Sequence, residues 1–347
     1  MRRIGRGRLK GFGGLFALVT MLTGVACGGS GNPVAPPPPP GPPVLTCPEN
    51  RQASASQGQP PVVDFALPVA QNGQAPVNVT CTPGSGAPFA VGDTTVTCTA
   101  TDALSRSATC SFTVSVSIVP RLSVTKFVAF GDSLTEGVTS RGATILQLNL
   151  PDSYPMKLQP MLSARYTDQQ IDVLNEGCAG EYTDGSSANC PGGVKRLPGV
   201  LDRHAPDVLL LMHGANDLNN GRSITSAIGA IETMIGSARR RGIRVLVATL
   251  PPQNPAGRNG NGAEDLPEFN RRLARMARDE GAQVVDIFAH LGTHVGWIGI
   301  DGLHPTPAGY ERIAEVWRDA IQAVFEVQPA PPGPPAPPTA IRLTRRR

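Results

Sequence analysis

Hydrophobic and polar residues follow two different rhythms along this chain. Between residues 45 and 118 they alternate. The segments PVNVTC, TTVTCTATD and CSFTVSVSI set Val, Phe and Cys among Thr and Ser with a period of two, and turns rich in Gly, Pro, Asn and Asp break them at short intervals. That period, with β-branched residues, predicts strands buried on one face. No helix-length period interrupts them, so the pattern predicts a small antiparallel β-sandwich. A module of about seventy residues buries little core, which makes disulfide staples physically reasonable.

From residue 122 to 327 the rhythm changes. Short, nearly continuous apolar runs (KFVAF, IDVLN, DVLLLM, IRVLVATL, QVVDIF) alternate with amphipathic stretches such as ITSAIGAIETMIGSARRR, AEDLPEFNRRLARMARDEG and ERIAEVWRDAIQAVF. Apolar strands with no polar face, separated by helices, predict a parallel sheet covered on both sides. The expectation is a doubly wound, three-layer α/β/α sandwich around a five-stranded parallel sheet, with the flavodoxin-like order 2-1-3-4-5.

Composition adds boundaries. The 35 prolines are unevenly placed, with dense runs in PVAPPPPPGPP (33–43) and QPAPPGPPAPP (328–338), stretches that favour extended spacers. Residues 28–44 therefore read as a linker and 328–347 as a basic tail. Residues 1–27 hold five Lys/Arg and no acid, then the mostly apolar stretch Phe12 to Ala26, shorter than a membrane-spanning helix needs. This is the layout of an export signal. Its end, TGVACGGSG, resembles a bacterial lipoprotein cleavage site with Cys27 as the lipidated residue, although Gly24 stands where such sites usually carry leucine. The alternative is a signal that is simply cleaved.

Without that segment the formal charge of +4 becomes 26 basic against 27 acidic residues. A body of that balance has no basic stripe for nucleic acid. Cysteines fit the exported reading. With Cys27 set aside, six remain as four (Cys47, Cys81, Cys98, Cys110) and two (Cys178, Cys190), an even number in each module.

Candidate chemistry gathers where the sheet order would place it, outside the carboxyl ends of the strands. FGDSLTEG (130–137) follows the first strand, NEGCAGEYTDG (175–185) the second, HGANDL (213–218) the third, and DGLHPTPAGY (301–310) opens the last helix. These segments supply a serine, glycines, an asparagine and Asp-x-x-His. Taken alone, Ser133 could be an ordinary helix N-cap, Asn216 a turn residue, and Asp301 the cap of the last helix. Together the residues suit acyl transfer. Ser133 would be the nucleophile, His304 its base and Asp301 the group orienting the base. The Ser133 and Gly180 N–H groups and the Asn216 amide would receive the oxyanion, with glycine at 180 letting backbone approach substrate. Asp132 would brace the turn. Cys178 and Cys190 flank Gly180, and a bridge between them would hold that donor rigidly; the alternative is two free thiols.

Two resemblances sharpen this reading. VTCTPGSGAPFAVGDTTVTCTATDALSRSATCSFTVSV resembles the hyalin-repeat (HYR) family of immunoglobulin-like domains. It implies an extracellular adhesion or spacer module that touches a surface glycan or protein. Four cysteines allow three connectivities; the resemblance favours Cys47–Cys110 with Cys81–Cys98. The second covers roughly residues 124–325. Gly131-Asp132-Ser133-Leu134, Gly180, Gly214-x-Asn216-Asp217 and Asp301-x-x-His304-Pro305 resemble, in order, the four blocks of the SGNH (GDSL-type) hydrolases. Gly177 competes with Gly180 for the second block. The family implies a serine esterase acting on small-molecule or glycan esters without cofactor or metal, and an acyltransferase would use the same residues.

The other histidines carry less. His290 and His294 sit at metal-ligand spacing but in loop-like sequence with no third ligand nearby. His213 reads as packed beside the site and His204 as a surface helix end. A reading from another class is a surface adhesion or glycan-binding protein whose hydrolase fold is inert. The intact set Ser133, Gly180, Asn216 and His304 argues against it.

Overall fold

The computed structural model describes residues 38–56, 59–141, 145–293 and 296–327; the segment expected to be an export signal with Cys27, residues 28–37 of the expected linker, His294 and the tail lie outside them. The alternating segments form eight strands: β1 (Val44–Leu45), β2 (Arg51–Ala55), β3 (Val62–Val63), β4 (Ala70–Gln71), β5 (Asn78–Thr82), β6 (Ala87–Pro88), β7 (Gly92–Thr101) and β8 (Ser107–Ile118). Along β7 and β8 the period of two becomes burial. Val96, Cys98 and Ala100 on β7, and Phe112, Val114 and Val116 on β8, face a core that Leu45, Phe65 and Phe89 complete. The disulfides are Cys47–Cys110 and Cys81–Cys98.

One feature differs from the expected antiparallel sandwich. In the sheet β2-β8-β7-β5, β2 runs parallel to β8. Alternation fixes which face of a strand is buried but not the direction of its neighbour, so the pattern alone could not distinguish the two.

The second region is a three-layer α/β/α sandwich with its own core. Its central sheet contains β9 (Lys126–Gly131), β12 (Asp172–Gly177), β13 (Val208–Met212), β14 (Arg244–Ala248) and β15 (Gln283–Val285). The order is β12-β9-β13-β14-β15, parallel throughout, which is the flavodoxin-like arrangement expected from the sequence. Every residue of β13 is buried, as befits a strand with helices on both faces.

The helices are α1 (Ser133–Glu136), α2 (Tyr154–Arg165), α3 (Gly193–His204), α4 (Ala215–Asn219), α5 (Ile224–Arg239), α6 (Leu266–Asp279), α7 (Ile287–Leu291) and α8 (Pro307–Phe325). Helix α2 packs on α8 through stacked Tyr154 and Trp317, and α3 packs on α5, which packs on α6. On α6 the buried Leu266, Phe269, Leu273 and Ala277 recur at spacings of three and four, the stripe that turns one helix face to the core.

Two local outcomes were not expected. QVVDIF is a strand only to Val285. Asp286 then caps α7, accepting from Ala289 N–H at 3.1 Å and from the Thr249 hydroxyl at 3.0 Å. Between α1 and α2 the chain forms an antiparallel hairpin, β10 (Val138–Arg141) with β11 (Ile145–Leu148).

Strand β9 lies between β12 and β13, and its last residue admits no side chain: a Cβ on Gly131 would overlap the Met212 carbonyl and the Thr135 hydroxyl. Gly131→Ala is expected to lower stability by about 1–3 kcal/mol through overpacking against backbone. In thermal denaturation that is a fall of about 2–4 °C per kcal/mol, and an unchanged melting curve would contradict the packing described.

Candidate active site

Strand β9 ends at Gly131 and the chain turns directly into α1. The N-cap of α1 is Asp132, whose Oδ1 accepts from Leu134 N–H at 3.0 Å; Ser133 is the first helical residue. The bland alternative for Ser133 is thereby answered, because the capping role belongs to its neighbour. As the first residue of the helix, Ser133 also has an N–H with no intrahelical acceptor. Tyr310 on α8 ties the segment down, its hydroxyl donating to the Val138 carbonyl at 2.7 Å.

The chain returns to Ser133 after 171 residues. His304 Nε2 lies 2.9 Å from Ser133 Oγ, and His304 Nδ1 lies 2.6 Å from Asp301 Oδ2. The other Asp301 oxygen accepts from His304 N–H at 3.1 Å, so the Asp-x-x-His spacing closes a local turn that fixes acid and base together. Asp301 does not cap the last helix. Thr306 does, accepting from Gly309 N–H.

Burial pushes the Asp301 carboxyl up, but hydrogen bonds from His304 and from Asn259 (Nδ2 to Oδ2, 2.9 Å) outweigh it and hold the group well below the usual carboxylate range. An ionised Asp301 assigns the ring proton to Nδ1, leaving Nε2 free to accept from the serine hydroxyl.

Gly180 and Asn216 line the same cavity as Ser133 and His304, about 400 Å³ in volume. Gly177 does not compete with Gly180. Its N–H is spent on Asn175 Oδ1 at 2.9 Å, and a Cβ there would overlap the backbone of Glu136. Gly177 is glycine so that β12 can pass close to α1. At Gly180 a Cβ would meet no protein atom, but φ is +79°, which side-chain-bearing residues rarely adopt, so the backbone conformation itself favours glycine there. Among the described residues the Gly180 N–H has no acceptor. The Asn216 amide donates one hydrogen to the Glu181 carbonyl at 3.0 Å, leaving its second N–H available.

Glu181 is the residue that the sequence reading missed most. It is fully buried beside Gly180, with its carboxylate on Arg196 (2.8 and 2.6 Å) and His213 Nε2 (3.2 Å) and its carbonyl on Asn216. It thus connects the segments carrying both side donors. Burial raises its carboxyl, but the bonds from Arg196 and His213 overcome this and lower it below the ordinary value. Arg196 also stacks 4.0 Å from the Phe130 ring centroid at the end of β9.

Two further ties hold the loop. The Cys178–Cys190 bridge closes it, and Thr183 donates to Asp217 from both backbone and hydroxyl at 2.9 and 3.0 Å. Only the acid next to Gly180 could have signalled Glu181 in the sequence. Nothing local marks Arg196 or Asn259.

The remaining candidates fall into place. His213 is buried, its Nδ1 3.9 Å from Asp132 Oδ2, and burial raises the Asp132 carboxyl above its ordinary value. His204 ends α3 and meets Glu176 at 2.6 Å. His290 sits on α7, while His294 lies outside the described residues. Cys178, Glu181 and Cys190 are grouped closely enough to suggest metal ligands, but the two sulfurs are joined to each other and offer no thiolate. Larger clefts of about 570 and 540 Å³ open around Arg244 at the amino-terminal end of the sheet, where no serine-histidine pair stands.

Comparison with known proteins agrees with this geometry. Residues 129–312 match the GDSL-like Lipase/Acylhydrolase family, and residues 40–116 match the HYR domain. An alignment that covers 61% of the chain is 25% identical to a multidomain esterase of Ruminococcus flavefaciens, and spans 31% of that protein's length. The chain is 28% identical to an arylesterase of Vibrio mimicus over 192 residues, covering 55% of this chain and 84% of the relative.

Among solved structures, an aryl esterase from M. smegmatis superposes with a TM-score of 0.51 at 21% identity, covering 57% of this chain and 99% of that one. A carbohydrate acetylesterase from Sinorhizobium meliloti gives 0.51 at 22% identity, covering 58% of this chain and all of that one. At these identities the structures speak for the fold.

Glu181→Gln keeps the shape of the side chain but leaves Arg196 without its buried anion, at an expected cost of about 3 kcal/mol at neutral pH. The folded carboxyl titrates below the unfolded one, so its contribution is complete above the unfolded value of about 4.3 and fades as pH falls through the folded value. Urea denaturation from pH 7 to 3 should therefore show the two proteins converging at the acid end. A constant gap would place the effect outside this titration.

Proposed function

The chain belongs to the GDSL-like lipase/acylhydrolase family, and from that membership we propose that it is an exported serine esterase whose acyl-enzyme forms on Ser133. The observation that carries the reading is the buried relay from Asp301 through His304 to Ser133 Oγ, with links of 2.6 and 2.9 Å. These are the distances that proton transfer to a positioned base requires.

The reaction follows from the geometry. As Ser133 Oγ bonds to the ester carbonyl carbon, its proton passes to His304 Nε2. The carbonyl oxygen becomes an oxyanion among the Ser133 N–H, the Gly180 N–H and the second N–H of Asn216. Collapse breaks the bond to the alcohol oxygen, which leaves with the proton from His304. Water then attacks the acyl-serine with His304 again as base, releasing the acid and restoring the hydroxyl. Asp301 holds the ring orientation and stabilises the imidazolium without itself taking the proton. With an alcohol in place of water the same steps become acyl transfer, so exclusion of water decides between hydrolysis and transfer.

Three disulfides support an oxidising compartment, and the amino-terminal pattern supports export with a lipid on Cys27. In that setting carboxylic esters of glycans, including acetyl esters, and small lipid or aryl esters are the substrates within reach. The HYR module would hold the hydrolase near a surface and contact a glycan or protein there. An adhesin with an inert hydrolase fold draws its support from the HYR match alone. A buried serine, histidine and carboxylate in register oppose it.

The test is hydrolysis of p-nitrophenyl acetate, butyrate and octanoate by the full chain and two variants. Ser133→Ala is expected to reduce kcat by about 10^4–10^6-fold. Asn216→Ala is expected to lower kcat by about 10^2–10^3-fold with little change in KM, as loss of one oxyanion donor does. Equal rates in the native chain and Ser133→Ala would turn the reading to the adhesin.

A further inference from the structure

Two groups of side chains with opposite chemistry line the cavity at Ser133, and among the described residues that line it there is no Asp, Glu, Lys or Arg. The first group comes from the hairpin. On β11, Leu146 and Leu148 are two residues apart and so point to one face, and Val138 on β10 is the cross-strand partner of Leu148. Leu146 and Leu148 are 43% and 46% exposed. Scattered exposed leucines need no explanation, but these two share a strand face and border a nucleophile.

The second group consists of carboxamides. Asn219 and Asn220 close α4, and Asn261 comes from the loop before α6, beside the Asn216 and Asn259 already described. A bond from Gly262 N–H to Asn219 Oδ1 at 2.7 Å joins the two segments into one surface. The Asn219 Nδ2 is buried and has no partner among the described residues. An unpaired buried donor costs free energy unless a ligand satisfies it.

Resting on the esterase reading above, we propose that the preferred substrate is an ester of an apolar, medium-chain acid with a neutral, hydroxyl-rich alcohol such as a sugar. The acid's hydrocarbon lies along Leu146, Leu148 and Val138. The alcohol's hydroxyls bond to the asparagines, whose amides both donate and accept, with Asn219 Nδ2 taking one of them. The described lining offers neutral carboxamides and hydrocarbon, which suits a neutral substrate, and a cavity of about 400 Å³ falls within the range of sites that hold drug-sized ligands. An acetyl group alone would leave the leucine face uncovered.

The experiment measures kcat/KM of the full chain in two series. In the acyl series, p-nitrophenyl octanoate is expected to exceed the acetate by at least about tenfold, since each fully buried methylene is worth about three- to fourfold. Leu146→Asn/Leu148→Asn should bring that ratio below about threefold. Fluorophosphonate labelling of Ser133 confirms that the variant retains an assembled site.

In the alcohol series, glucose 6-octanoate is expected to exceed ethyl octanoate by about fivefold, the worth of one hydrogen bond. Asn219→Asp, which keeps the acceptor for Gly262 but loses the donor, should remove that preference. Octanoate no better than acetate, or the glucose ester no better than the ethyl ester, would overturn the assignment while leaving Ser133 chemistry intact. A native chain that hydrolyses none of these esters would overturn both.

Discussion

Everything in the hydrolase region depends on how β9 leaves the sheet. The strand sits between β12 and β13, and at Gly131 its backbone touches the Met212 carbonyl so closely that no side chain fits. That contact sets the point at which the chain must turn. Asp132 turns it by capping α1, and Ser133 is delivered at the first helical position with its hydroxyl toward the loops of the neighbouring strands. A larger residue at 131 would displace the strand end, and with it the atom that the other loops are built to meet. Packing and the proposed chemistry meet at this residue, because the close approach that completes the sheet also aims the Ser133 hydroxyl.

The neighbouring loops are held by polar bonds in a place where burial makes each one count. Glu181, Arg196, His213 and Asp217 are buried or nearly so; Glu181 joins Arg196 to His213, and Asp217 holds Thr183 by its backbone N–H and its hydroxyl. In a low-dielectric interior a complete network is rigid and an incomplete one is costly. Glu181 is the centre of it: its side chain is fixed by Arg196 and His213, while its carbonyl fixes Asn216. Gly180 is next in the chain and shares whatever position Glu181 takes. The Cys178–Cys190 bridge constrains the same loop covalently. Rigidity of this kind suits a site that stabilises charge through donors already in place, with no reorganisation at the moment of reaction.

The hairpin β10–β11 stands apart from this rigid centre. It interrupts the doubly wound pattern between α1 and α2 and presents leucines to solvent beside Ser133. Elements grafted onto a sheet end in this way are where one fold acquires its particular substrates. The asparagine-rich part of the lining, contributed by α4 and the loop before α6, gives the cavity its second character.

The sequence by itself determined the architecture and most of the chemical inventory. Periods of two and near-continuous apolar runs are written into neighbouring residues, so the change from sandwich to α/β/α fold near residue 120 was legible, as were the strand order and the serine, glycine, asparagine and Asp-x-x-His segments. Only the tertiary structure decided the rest. The choice between Gly177 and Gly180 turned on a contact with Glu136 and on one backbone angle. Cys98 faces both Cys81 and Cys110 across the sheet, so spacing alone could not choose its partner; the bond to Cys81 is the one the hyalin-repeat resemblance implied. The parallel pairing of β2 with β8, the salt bridge of Glu181 to Arg196 and the bond of Asn259 to Asp301 all join residues distant in the chain. Local pattern records how each residue meets its neighbours in sequence. Which distant groups meet is set when the core closes, and that is a property of the packed whole.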